Sequence, residues 1–65
     1  MKGIIYMKQK FLREMLEKMT DKRIIPFVLK MVTNKEEQMI QFLMNNKNLT
    51  PTDIVMKANQ LKHEN

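Results

Sequence analysis

The chain has no cysteine, no serine and no tryptophan, and only one glycine and two prolines in 65 residues. Without cysteine, neither a disulfide nor a thiolate-bound zinc can hold the fold together. That absence suits a reducing compartment, so the sequence implies a cytoplasmic protein. The scarcity of glycine and proline leaves little material for tight hairpins. Long apolar runs are also missing. The longest, Ile24 to Leu29, is interrupted by Pro26 and falls far short of the roughly 20 residues a membrane span requires. At the start, the apolar stretch of Met1-Lys2-Gly3-Ile4-Ile5-Tyr6 is too brief for a signal segment and carries no cleavage site. Met7 can serve as an alternative start, which would make residues 1–6 dispensable.

The same absences argue against catalysis. A nucleophile needs a base beside it, but there is no serine or cysteine, and the only histidine is His63, next to the C-terminus. Phosphate cradles need several glycines, and Gly3 stands alone. The carboxylate pairs Glu14/Glu17 and Glu36/Glu37 read as a solvated helix face and a first helical turn. Thr20, Thr33, Thr50 and Thr52 sit at apparent helix starts, where capping is the expected role. The sequence therefore implies no enzyme, no cofactor, no metal site and no small-molecule substrate.

What is present is helical periodicity. Phe11, Leu12, Met15, Leu16 and Met19 recur on one face of a helix expected over 7–19. Lys8 would intrude on that face, so the helix is expected to become regular only after it. Residues 24–32 are apolar all round apart from Lys30, with Pro26 tolerated in a first turn, which describes a buried helix. The β-branched content of this stretch keeps a strand open as the alternative. Thr33-Asn34-Lys35-Glu36 fits a capping box opening a third helix, with Met39, Ile40 and Leu43 inward, flanked by Phe42. Asn45 to Asn48 ends it. Thr50, Pro51 and Asp53 then give a cap, a first-turn proline and a dipole-compensating carboxylate. Leu49 and Ile54 stand at hydrophobic-staple positions, and Ile54, Ala58 and Leu61 face inward.

These patterns imply one all-α domain over 1–65, a compact bundle of three to four short helices with 1–6 and 62–65 frayed. A core this small leaves a chain marginal by itself. With disulfides excluded, homodimerisation is the expected means of completing it.

The net charge of +5 is uneven. Residues 1–35 hold nine Lys/Arg against three Asp/Glu, and residues 36–65 hold three against four. Such asymmetry is a hint of an anionic partner. One reading is therefore a small basic DNA-binding regulator with a degenerate helix-turn-helix, using Lys22, Arg23, Lys30 and Lys35 on phosphates. Against it, Glu14 and Glu17 break the basic stripe of the first helix. Phe42 and Met44 also stand where a helix-turn-helix wants a small residue, and the turn carries asparagine in place of glycine. The leading reading is a non-catalytic regulator or adaptor of bacterial or mobile-element origin, acting through a protein partner or a second copy of itself. Eight methionines supply adaptable apolar surface. Of these, Met56 points away from Ile54, Ala58 and Leu61, and Met44 sits at the edge of its apolar arc. With Tyr6 they form the expected partner surface.

Overall fold

A computed structural model of the chain describes residues 2–64, and side chains from 7 to 64. Four helices follow one another: α1 (Lys2–Met19), α2 (Ile25–Met31), α3 (Glu36–Asn45) and α4 (Pro51–His63). The described residues contain no strand, so 24–32 takes the helical alternative. The Cα radius of gyration is 10.8 Å, matching the roughly 10.7 Å expected for a folded single domain of this length. No helix among the described residues is long and apolar enough to cross a membrane.

The core is one continuous set: Leu12 and Leu16 of α1, Ile25, Val28 and Leu29 of α2 with Val32 after it, Met39 and Leu43 of α3, and Ile54, Ala58 and Leu61 of α4. On each helix these residues recur at three- and four-residue steps, the spacing that stacks side chains along one face. The bundle is cross-braced. α1 packs on α2 and α3, and α2 packs on α4, with a lighter contact between α3 and α4. Met15, Met19, Met31, Ile40, Phe42 and Leu49 close its margins, half-buried against the core.

Local sequence explains the connections. Asn34 and Asn48 adopt positive φ values of 70° and 61°, the left-handed turn geometry asparagine tolerates better than most residues. In a chain with one glycine they take over the role glycine usually fills at such breaks. Asn46 Nδ2 donates to the Phe42 carbonyl oxygen at 2.8 Å, satisfying a free acceptor at the end of α3. At α4 the capping box is complete. The Asp53 N–H donates to Thr50 Oγ1 at 3.1 Å and the Thr50 N–H to Asp53 Oδ2 at 3.0 Å. Thr50→Ala should therefore lower stability by about 1 kcal/mol, read as a lower urea midpoint with unchanged slope; no shift would mean the cap is not holding α4.

Several expectations need correction. α1 begins at Lys2, five residues before the expected start. Lys8 causes no break because its ammonium leaves the apolar face toward Glu37, 3.5 Å away. Phe11 is 48% exposed, since Leu12 and Leu16 occupy the centre of the contact and Phe11 falls at its edge. α2 is not buried all round: Phe27 is 68% exposed. A seven-residue helix touching α1 and α4 has a third side that neither covers. Thr33 does not cap α3. Asn34 turns the chain left-handed after α2, so the Thr33 hydroxyl donates back to the Lys30 and Leu29 carbonyls at 3.0 and 3.3 Å. Lys35 becomes the N-cap residue, with no side-chain cap. Thr20 ends α1 and opens no helix, and Thr52 lies inside α4, so of the four threonines only Thr50 caps. α4 continues through Lys62 and His63; Met1 and Asn65 lie outside the described residues.

Candidate functional site

Two surfaces carry side chains without an obvious structural task. The first is the outer face of α4. Thr52, Met56, Asn59 and His63 recur at i, i+4, i+7 and i+11, which places them on one stripe opposite Ile54, Ala58 and Leu61, and all four are exposed. The stripe contains no lysine, arginine, aspartate or glutamate. A solvent-facing helical stripe is ordinarily where charge collects, as Lys10, Arg13, Glu14 and Glu17 show on α1. Met56 is 65% exposed and lies between two grooves. On one side it borders Ile24, Pro51 and Val55; on the other it borders Phe42 and Leu49, with Asp53, Lys57 and Gln60 at the rim. Lys57 Nζ lies 5.4 Å from the centroid of the Phe42 ring, so a cation shields that aromatic face.

Of the residues expected to form a partner surface, Met56 occupies this position. Met44 is 63% exposed on α3 but lines neither groove, so the structure does not join it to Met56. The Tyr6 side chain lies outside the described residues. Val55 was missed: it lines the first groove, but it stands about 100° from Met56 on the helical wheel, so periodicity gave no signal for it.

The second surface is the basic one, and its four expected cations differ. Lys22 and Lys30 are exposed, with no acidic group in salt-bridge range among the described residues. Arg23 grips Asp21: Nη2 donates to Oδ2 at 2.8 Å, Nε to Oδ2 at 3.2 Å, and the backbone N–H to Oδ1 at 2.8 Å. Hydrogen bonds from the Arg23 side chain and then its N–H hold the Asp21 carboxyl below the usual carboxylate range, and Asp21 raises the Arg23 guanidinium in return. A depressed carboxyl contributes stability above its unfolded pKa and loses it as pH falls through the folded value. Because both side chains lie at the solvent-exposed surface, the pair sets the local turn and adds little to the whole. Lys35 stands apart. It is half-buried, and its ammonium donates to the backbone oxygens of Leu61 and Glu64, where a cation complements the carboxyl end of α4. The four cations therefore do not form one phosphate-binding row.

A third cluster ties elements together. Glu36 is 4% exposed, and its Oε2 accepts from Gln9 Nε2 at 3.0 Å and from the Asn34 N–H at 3.1 Å. One carboxylate thus joins α1 to the turn before α3. Lys8, Lys35, Glu37 and Glu64 line the adjoining groove, in which both signs of charge are interspersed. Among the described residues, no three histidine, aspartate or glutamate side chains converge as a metal ion would require. Compared with protein-family models, curated proteins and solved structures, the chain matches none of them.

Proposed function

We propose that the chain is a non-catalytic regulator or adaptor of the cytoplasm that works by presenting the outer face of α4 to a protein partner or to a second copy of itself. The observation that carries this reading is the stripe Thr52–Met56–Asn59–His63, free of lysine, arginine, aspartate and glutamate, with Met56 exposed between two apolar-walled grooves. Charged residues are depleted at interface centres while methionine and aromatics are enriched there, and a flexible thioether adapts to an irregular partner. Surface area supports the same reading. The chain exposes 5030 Å², above the roughly 4,400 Å² typical of a monomer of its mass. The absence of cysteine suits a reducing compartment.

Met56→Asp tests the proposal, because it places a charge on the stripe without touching the core. Wild-type protein should sediment above monomer mass or retain a partner on capture from its host. The variant should lose that association by at least about tenfold, as burying an unpaired carboxylate in an interface demands, while its helical circular dichroism stays the same. Unchanged sedimentation together with unchanged capture would overturn the reading.

A further inference from the structure

Phe27 is the exposed side chain that periodicity explains least. α2 turns Ile25, Val28 and Leu29 into the core, yet leaves the Phe27 ring 68% exposed. Close to it in sequence stand three exposed cations, Lys22, Arg23 and Lys30, with Asp21 bonded to Arg23 and Glu17 in the groove that Lys22 lines. Backbone bonds from Ile24 to Asp21 and from Ile25 to Lys22 close a tight turn ahead of α2, so Arg23 stands in the turn that leads into the helix, while Lys30, three residues after Phe27, lies on the same side of α2. Lys22 stands on the other side of Pro26, in a groove both residues line. The Arg23 side chain is 90% exposed despite its hold on Asp21, and Lys22 and Lys30 have no acidic partner among the described residues.

We propose that this face of α2 binds single-stranded nucleic acid, with one base stacked on the Phe27 ring and Lys22, Arg23 and Lys30 on neighbouring phosphates. An aromatic ring set among cations is the combination that single-strand binders use, because every base offers a π-face and every linkage a negative charge. A duplex offers the charge alone, since its base faces are already stacked. A membrane surface fits less well. Insertion draws on a broad apolar helical face, and that of α2 is spent on the core, leaving one ring and one proline. The site does not depend on the α4 face, and either can fail while the other stands.

The test is fluorescence anisotropy of a labelled ten-thymidine strand and its uridine counterpart against the whole chain, at several salt concentrations from low to physiological. Binding of either strand should weaken with a log–log salt slope of roughly −1.4 to −2.1, as expected for two to three phosphates on a single strand; the tighter strand names the natural class. Phe27→Ala should weaken binding about tenfold with the slope kept. Phe27→Leu, which retains apolar bulk, should weaken it comparably. Lys30→Ala should make the slope shallower by roughly 0.7. Circular dichroism should show both Phe27 variants folded, since the ring lies outside the core. The proposal is overturned by no binding at the lowest salt, by binding indifferent to Phe27, or by equal affinity for a duplex of the same length. It is also overturned by phosphatidylserine vesicles that depend on Phe27 when the strands do not.

Discussion

Leu16→Ala should leave most of the chain unfolded at 25 °C. Leu16 is fully buried, in the last turn of the helix on which α2 and α3 both rest. Truncating such a leucine removes its transfer free energy and leaves a cavity that neighbours fill only in part, together about 2–5 kcal/mol. A single core of this size rarely supplies more than about 3–5 kcal/mol in all, so the loss is comparable to the whole. Far-ultraviolet circular dichroism and a urea titration would read it directly. Met7→Ala is the control, because Met7 lies on the same helix but is 68% exposed and should unfold like the wild type. A Leu16→Ala protein with native helicity and an unshifted midpoint would mean that α1 does not pack as described.

The second large effect concerns a carboxylate. Glu36→Ala should cost about 1–3 kcal/mol, the usual penalty when buried donors lose their acceptor, because the Gln9 amide and the Asn34 N–H both bond to Glu36 Oε2. For a domain of this length each kcal/mol corresponds to roughly 4–8 °C in Tm. Glu36→Gln separates acceptor from charge. Its amide oxygen can still receive both bonds, so it should recover more than half of the loss. Glu37→Ala provides the contrast: its side chain is 72% exposed and pairs only with Lys8 at 3.5 Å, a surface contact contributing about 0–1 kcal/mol. If Glu36→Ala melted at or above the wild-type temperature, relief of a buried charge would outweigh the tie, and the Glu36 bonds would not be what holds α1 to α3.

Much of this was legible from residues close together in sequence. The opening of α4 could be read whole, because Thr50, Pro51 and Asp53 act within one turn and no distant residue changes their geometry. The inward stripes of α1, α3 and α4 were visible for a similar reason: each helix is long enough for its period to show. α2 was harder. Seven apolar residues among the nine of 24–32 hide which side faces in, although Ile25, Val28, Leu29 and Val32 already fill one face and leave Phe27 opposite it. The Thr33 box failed because the same four residues can either open a helix or close the preceding one. Asn34 decides between them through a backbone angle that composition does not specify. Lys35 and Glu36 were illegible in principle, since their partners lie 26 to 29 and 27 residues away. The sequence alone assigned Lys35 to phosphate and Glu36 to a capping box, whereas tertiary contact ties Lys35 to the end of α4 and Glu36 to α1.

The cross-bracing of the helices has one more consequence. Each half of the chain, divided at the Asn34 turn, contributes only one wall of the hydrophobic interior: Leu12, Leu16, Ile25, Val28, Leu29 and Val32 come from the first half, and Met39, Leu43, Ile54, Ala58 and Leu61 from the second. α1 packs on α2 within the first half, but α1 also leans on α3 and α2 on α4, so the apolar face of each half is completed by the other. Unfolding is therefore expected as one cooperative transition, as is usual for a single small domain. A nick at that turn would yield two peptides that are structureless apart and become ordered only on meeting each other.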